Sequence, residues 1–154
     1  MKLRVLAVGA RGPQWVDEAF TEYAKRLPRG NSLHLVSVNR APKNTTGDTA
    51  REIEGERLLS KVGRTEQIIA LDENGQCITT AALAARMSAW RMDGVDVALL
   101  IGGPDGLAET VRKKANFIWS LSPLTFPHGL ARAIVAEQLY RAWTVLTGHP
   151  YHRA

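Results

Sequence analysis

A glycine-rich turn is the first segment of this sequence that could do chemistry. The pentapeptide Gly-Gly-Pro-Asp-Gly at residues 102–106 directly follows a continuous apolar run at residues 95–101. Open α/β sheets bind ligands at the carboxyl ends of their strands, and glycine lets the backbone approach a ligand closely. The turn matches neither the G-x-G-x-x-G dinucleotide fingerprint nor the Walker A phosphate loop. A plain strand-to-helix turn fits the same residues, and on this segment alone it is slightly favoured.

A hydroxyl-rich loop with two prolines is the second candidate. It covers residues 120–129, after a predicted strand and before the longest predicted helix. Pro123 and Pro127 exclude both a helix and a strand ladder at these positions. The backbone N–H and C=O groups of this loop could pair with an adenine-like edge while Leu124 and Phe126 cover the face of the ring. A stiff connector capped by Ser or Thr fits the pattern equally well.

Polar groups near the end of the chain form the third candidate. Glu137 and Arg141 are spaced i,i+4 on the last predicted helix, a spacing that usually stabilises a helix surface. The tail at residues 148–154 contains Tyr151, His152 and Arg153, which could stack on bases or pair with phosphate. A tail that is disordered, or that packs in a dimer, is the alternative.

Composition limits the class of protein. The 154 residues are 45% hydrophobic, enough for one core, so we expect a single domain over residues 1–154. One cysteine, Cys77, excludes an intramolecular disulfide, and no Cys/His cluster has zinc-site spacing, so we expect a reducing cytoplasm and no metal. No apolar run reaches the roughly 18 residues of a membrane span, so we expect no membrane partner. The net charge of +5 suits a partner that bears phosphate.

Hydrophobic periodicity predicts strands and helices that alternate along the chain. The predicted strands are residues 3–8, 33–38, 67–71, 95–101 and 116–121. Turns are predicted at residues 72–75 and 102–106, and a mobile, exposed loop at residues 39–47. Helices connect the strands, and the last helix is predicted at residues 130–146. Asp48 and either Thr79 or Thr80 are the predicted N-caps of the second and third helices. Strands that are apolar on both faces belong in covered parallel sheets, so the fold class is α/β with helices on both faces of a parallel sheet.

Five segments together resemble one family from end to end. They are residues 71–75 (Leu-Asp-Glu-Asn-Gly), 101–106 (Ile-Gly-Gly-Pro-Asp-Gly), 120–128, 137–142 (Glu-Gln-Leu-Tyr-Arg-Ala) and 150–153 (Pro-Tyr-His-Arg). In this order, and in a chain of this length, they resemble the ribosomal RNA large subunit methyltransferase H family. Two departures are mild: Gln76 stands where many members have a basic residue, and Leu124 where Met is common.

The resemblance implies a fold, an activity and partners. The fold is the SPOUT class, in which the C-terminal part of the parallel-sheet domain forms a trefoil knot. The activity is methyl transfer from S-adenosylmethionine, without a metal, to N3 of a pseudouridine in helix 69 of 23S rRNA. The resemblance implies that the enzyme acts on the assembled ribosome. We expect a homodimer, because the last helix carries both an apolar stripe (Leu130, Ile134 and Trp143) and functional polar residues, and because a small domain alone offers little RNA-binding surface. The alternatives are a SPOUT methyltransferase with another RNA target and a non-catalytic ribosome-binding factor.

The resemblance also assigns residues to the site. The cofactor-binding residues would be Leu71, Gly103, Ser122, Pro123, Leu124, Thr125, Phe126 and Pro127. For attack, N3 must lose its proton, which a base or a neighbouring cation can assist. The candidates for this catalytic role are His128, Glu137, Arg141, Tyr151, His152 and Arg153. We expect His152 or a neighbouring carboxylate to accept the proton and Arg153 to hold phosphate or the developing anion, across the dimer if the two subunits share a site.

Overall fold

The computed structural model describes residues 1–10 and 12–152 and contains one five-stranded parallel sheet. The strands are β1 (Lys2–Val8), β2 (Ser32–Val38), β3 (Gln67–Cys77), β4 (Val97–Ile101) and β5 (Phe117–Ser120), and their order in the sheet is β2-β1-β4-β3-β5. Because every pairing is parallel, the carboxyl ends of all five strands meet at one edge. The loops that follow the strands therefore share that edge.

Helices cover both faces of the sheet, as the sequence predicts. They are α1 (Gln14–Ala24), α2 (Gly47–Lys61), α3 (Thr80–Asp93), α4 (Glu109–Lys114) and α5 (His128–Thr147), followed by a 3-10 turn at Pro150–His152. The core on one face packs α1, α3 and α5 through residues such as Phe20, Met87 and Leu139. The core on the other face packs α2 and α4 through Leu58 and Val111. No helix within the described ranges is long and apolar enough to cross a membrane.

Strand β4 shows why the sheet needs both layers. All five of its residues are buried, because side chains alternate between the faces and each face meets a helix layer. Leu99 belongs to the core under α1, α3 and α5, whereas Leu100 belongs to the core under α2 and α4. The apolar run that predicted this strand is therefore a consequence of its central position.

Two local predictions, the turn at residues 72–75 and the N-cap at Asp48, are wrong, and the structure decides between Thr79 and Thr80 as the N-cap of α3. Residues 72–75 are not a free turn, because β3 continues to Cys77 with a register irregularity between Leu71 and Gln76. Asp48 lies in the first turn of α2 rather than at its N-cap, which is Thr46. At α3 the N-cap is Thr79, whose hydroxyl accepts a hydrogen bond from the N–H of Ala82.

Gly75 explains why the β3 irregularity is possible. A Cβ at this position would lie 2.7 Å from the carbonyl oxygen of Ile118 on β5. Only glycine lets the extended β3 pass so close to its neighbour. The glycine that suggested a turn in the sequence instead permits a close approach between two strands.

The ion pair between Arg4 and Glu66 yields a stability prediction. Glu66 is 7% exposed and accepts hydrogen bonds from Arg4 Nε at 2.7 Å and from the Gly63 N–H at 2.6 Å. The hydrogen bond from Arg4 holds the pKa of Glu66 below its usual range. A lowered folded-state pKa contributes stability that is present above the unfolded-state value and is lost as pH falls through the folded-state value.

We therefore expect Glu66→Gln to lower the free energy of unfolding by about 1–3 kcal/mol at pH 7. The difference from the wild type should shrink as pH falls below about 4.5, because Glu66 takes up its proton there in the unfolded state but only at lower pH in the folded state. Urea unfolding at a series of pH values measures it, with Glu52→Gln, an exposed position on α2, as the control. A wild-type advantage that stays constant down to pH 3 would contradict this assignment.

Candidate active site

A cleft of about 690 Å³ opens at the carboxyl edge of the sheet. Its walls come from the irregular segment of β3, from the loops after β4 and β5, and from the first turns of α2, α4 and α5. The lining residues are Asp48, Arg51, Leu71, Asp72, Glu73, Asn74, Ile101, Gly102, Gly103, Pro104, Asp105, Gly106, Leu107, Glu109, Arg112, Trp119, Ser120, Leu121, Ser122, Leu124, Thr125, Phe126, Pro127 and Ala131. Edges of this kind are where parallel α/β sheets bind ligands.

The glycine-rich turn after β4 forms the floor of the cleft. The N–H of Gly106 donates to the carbonyl of Gly103 at 3.0 Å, which closes the turn. A Cβ on Gly102 would lie 2.5 Å from the carbonyl oxygen of Gly106, so the turn can close only around glycine. A Cβ on Gly103 would lie 2.9 Å from Oε1 of Glu54, a buried side chain on α2. Both glycines therefore leave backbone, rather than side chain, facing the cleft.

The loop after β5 forms the opposite wall. Ser120 Oγ donates to the carbonyl of Ser122 at 3.1 Å, and Ser122 Oγ accepts from the N–H of Leu124 at 3.0 Å. These short-range hydrogen bonds hold the loop without a helix or a strand ladder. Leu124 remains 71% exposed, although it lies on the cleft wall. An apolar side chain at such a position can cover the face of a planar ligand.

The cleft has an acidic lining in a basic protein. Five carboxylates (Asp48, Asp72, Glu73, Asp105 and Glu109) line it together with two guanidinium groups, Arg51 and Arg112. Arg112 Nε lies 3.6 Å from Asp72 Oδ2, and Arg51 pairs with Asp48. The remaining negative charge favours a ligand with a cationic group. Within residues 1–10 and 12–152, no group of three or more His, Cys, Asp or Glu side chains could hold a metal ion.

Most residues predicted to bind the cofactor lie in this cleft. The lining includes Leu71, Gly103, Ser122, Leu124, Thr125, Phe126 and Pro127. Pro123 does not line it but holds the bend between two residues that do. The acidic residues were missed in the sequence, because they belong to β3, to the turn after β4 and to two helices, and make no local pattern. Only the i,i+3 spacing of Asp48 and Arg51 was a visible signal.

The predicted catalytic residues at the end of the chain form a separate cluster. Glu137 Oε1 lies 2.7 Å from Nη2 of Arg141 and accepts a hydrogen bond from the Tyr151 hydroxyl at 3.0 Å. Burial raises the pKa of Tyr151 well above its usual range, and Tyr23 and Glu137 raise it further. The phenol is therefore protonated at neutral pH and acts here as a hydrogen-bond donor. The sequence favours a plain helix-surface pair for Glu137 and Arg141. In the structure, Tyr151 of the tail also contacts this pair through its hydrogen bond to Glu137.

Aromatic contacts hold the tail against α5. The ring centroid of Tyr151 lies 4.8 Å from that of Tyr140, and the guanidinium of Arg141 lies 5.0 Å from the Tyr151 ring. The guanidinium of Arg26, which follows the end of α1, lies 5.9 Å from the same ring. Contacts of this kind contribute about 0.5–2 kcal/mol each. In the described part of the chain the tail is thus packed rather than free.

The tail cluster, formed by Glu137, Arg141 and Tyr151, and the cleft are built on different turns of α5. Ala131 lines the cleft, and Glu137 comes six residues later, about 9 Å along the helix axis. His128 begins α5 next to the cleft, but its side chain lies outside the described part. Arg153 also lies outside the described residues. His152 has a buried Nδ1 with no hydrogen-bond partner within the described residues.

Arg132, which the sequence places near the substrate candidates of α5, has a structural position instead. It is 1% exposed, and its Nη2 donates to the carbonyl of Val8 at 3.0 Å, with Gly9 and Ala10 accepting at 3.4 Å. Burial lowers the pKa of this guanidinium. Arg132 therefore ties the loop after β1 to the first turns of α5.

Comparison with known proteins agrees with this arrangement. Residues 1–152 match the family model described as predicted SPOUT methyltransferase. The chain is 48% identical over 155 residues to the ribosomal RNA large subunit methyltransferase H of Hahella chejuensis, with 99% of each chain covered. It is 52% identical over 155 residues to the protein of that name from Chromohalobacter salexigens, with 99% of this chain and 100% of the relative covered.

A solved structure supports the fold independently of close sequence similarity. A probable methylase family protein from Haemophilus influenzae Rd KW20 superposes with a TM-score of 0.56 at 11% identity, covering 99% of this chain and 70% of that one. At this identity the likeness concerns the fold alone. The full-length family match and the relatives near 50% identity confirm the resemblance found in the sequence: the chain belongs to the SPOUT methyltransferase family.

Proposed function

We propose that this SPOUT methyltransferase transfers a methyl group from S-adenosylmethionine to N3 of a pseudouridine in helix 69 of 23S rRNA, on assembled ribosomes. S-adenosylmethionine is the methyl donor of SPOUT methyltransferases. The observation that carries the proposal is the cleft, in which part of β3 and the loops after β4 and β5 meet at one sheet edge. The names of the relatives, which specify large-subunit ribosomal RNA, supply the substrate class.

The residues of the cleft fit this cofactor. Leu71, Leu124 and Phe126 offer apolar surface for a planar base, and the loop backbone offers hydrogen-bonding groups for its edge. The acidic lining suits the sulfonium and ammonium charges of the cofactor. A Cβ at Gly102 would collide with the backbone of its own turn, and the bare glycine leaves room beside the cleft.

The chemistry needs alignment and a proton acceptor. When bound, the sulfonium cofactor supplies a methyl group that is already activated for transfer. The residues of the cleft would hold the cofactor so that its methyl group faces the attacking nitrogen in a near-attack geometry. The imide proton at N3 passes to a base, for which we propose His152 or Glu137. Arg141 and Arg153 are the cations available to stabilise the imide anion, and the protonated Tyr151 positions Glu137.

We further propose that two copies of the chain share each site. In one chain, Glu137 lies about 9 Å along α5 from the nearest cleft residue, Ala131, and the tail packs beside Glu137 rather than over the cleft. A residue that accepts a proton must come within hydrogen-bond reach of the reacting atom. A homodimer in which the tail cluster of one subunit faces the cleft of the other satisfies both conditions. The cytoplasmic location and the single domain remain predictions from the composition, and the trefoil knot remains a prediction from the family resemblance.

The test incubates the purified protein with labelled S-adenosylmethionine and assembled ribosomes that lack the modification. Free subunits and transfer RNA serve as comparison substrates, and mass spectrometry maps the methyl group. Transfer to the helix 69 pseudouridine on the ribosome supports the proposal. Transfer to another RNA would replace the target and keep the enzyme class. Cofactor binding without transfer to any of these RNAs would favour a non-catalytic ribosome-binding factor.

A further inference from the structure

The loop between β2 and α2, residues 39–46, is held in place by α2. Glu54 is 4% exposed, and its Oε2 accepts a hydrogen bond from the N–H of Ala41 at 2.9 Å. Arg57 Nη1 donates to the carbonyls of Asn39 at 3.0 Å and Arg40 at 2.8 Å. The sequence predicts a mobile, exposed loop, whereas these three hydrogen bonds fix its first half.

Two cations project from this anchored loop. Arg40 and Lys43 are both exposed, and neither makes an ion pair within the part of the chain that the structure describes. By contrast, Arg51 and Arg112 beside the cleft are both paired with carboxylates. An exposed cation on a rigid backbone, with no acidic partner, is available for an anion outside the chain.

The position of this loop connects it to the cleft. The loop follows β2, and the stem of Arg40 lies 3.9 Å from the Cβ position of Gly9, at the end of β1. It runs directly into α2, where Asp48 and Arg51 line the cleft and Arg51 Nη1 donates to the carbonyl of Asp105 at 3.0 Å. The buried Glu54 also reaches the floor of the cleft at Gly103. The anchored loop is thus part of the same rigid edge.

We infer that Arg40 and Lys43 form a phosphate-binding ledge that holds the RNA backbone beside the cleft. The acidic cleft repels a phosphodiester, so a polyanionic substrate needs cations outside the cleft to bring its base to the edge. Because α2 fixes the loop before RNA arrives, little ordering entropy opposes binding. The inference rests on the proposed function in one respect, the identity of the polyanion as ribosomal RNA.

The test compares two double variants that remove the same charge. Arg40→Gln with Lys43→Gln removes the ledge and keeps the aliphatic stems. Arg29→Gln with Arg64→Gln removes two exposed cations before β2 and β3, at the amino edge of the sheet. Binding to ribosomes that lack the methyl group is measured across a salt series, and S-adenosylmethionine binding is measured separately. Methyl transfer is then followed with each variant.

The ledge variant should bind ribosomes at least about tenfold more weakly, and its slope of log K against log salt should fall by about 1.5, as two lost phosphate contacts require. Its KM for ribosomes should rise with kcat and cofactor affinity unchanged, while the Arg29/Arg64 variant should match the wild type. Equal weakening of both variants, or of neither, would overturn the ledge. If the wild type methylates the ribosome but the ledge variant binds normally, the ledge fails and the proposed function stands. If the wild type fails to bind ribosomes, both fail.

Discussion

His152→Ala is expected to slow methyl transfer by about 10²-fold to 10⁴-fold while cofactor affinity stays at the wild-type value. The imidazole is at the end of the packed tail, and its buried Nδ1 has no partner within the described residues. A ring nitrogen that has no internal partner is the natural candidate to accept the N3 proton once the substrate is bound. Single-turnover transfer to unmodified ribosomes measures the rate, and calorimetric titration measures cofactor binding.

The matched control is His34→Ala, which removes an exposed imidazole from the edge strand β2. It should leave the rate unchanged. A His152→Ala variant that turns over at the wild-type rate with intact cofactor binding would exclude this residue as the proton acceptor. Glu137→Gln, tested in the same assay, would then decide whether the neighbouring carboxylate takes that role. Adding Arg153→Ala to His152→Ala extends the test to the cation of the tail.

The second large effect is expected for Gly102→Ala, which should weaken S-adenosylmethionine binding by at least about tenfold, or about 1.4 kcal/mol. The new Cβ would lie 2.5 Å from the carbonyl oxygen and 2.6 Å from the carbonyl carbon of Gly106. Backbone atoms cannot rotate away as a side-chain tip can, so the turn must open and change the floor of the cleft. Overpacking of this kind also costs about 1–3 kcal/mol of folding free energy.

Gly129→Ala is the control for this substitution. Gly129 lies in the first turn of α5, close to the cleft, and a Cβ there meets no atom within 4 Å. Alanine in a helix should stabilise the fold by about 0.5–1 kcal/mol and leave cofactor affinity unchanged. Thermal unfolding and calorimetric titration of both variants separate the two effects. Wild-type cofactor affinity in folded Gly102→Ala would remove the glycine turn from the proposed binding site.

Mixing the Gly102→Ala and His152→Ala proteins tests whether two chains share each site. A mixed dimer has one chain with a damaged cleft (Gly102→Ala) and one chain with a damaged tail (His152→Ala). If the tail serves the partner's cleft, one site of each mixed dimer is intact, and random mixing restores about a quarter of wild-type activity. If each tail serves its own cleft, mixing restores nothing.

The order of strands and helices was readable from the sequence, because burial leaves a periodic pattern. Strand β4 is apolar at every position, and α1 repeats Val16 and Phe20 on one face. The positions of the turns were harder to read. The Asp-Glu-Asn-Gly segment at residues 72–75 has turn residues, yet β5 pairs with β3 on both sides of it, and Gly75 serves a close approach of strands. The conformational preferences of residues 72–75 contain no information about pairing with a strand that is distant in the sequence.

The sequence by itself determined the fold class, the family and the three segments of the proposed cofactor site, because short motifs keep their order along the chain. The tertiary structure decided how these pieces meet. It placed five carboxylates around one cleft and fixed the loop at residues 39–46 through Glu54 and Arg57. It also set Glu137 and Tyr151 apart from the cleft along α5. Charges and distances between remote segments depend on chain topology, and no local pattern of residues records them.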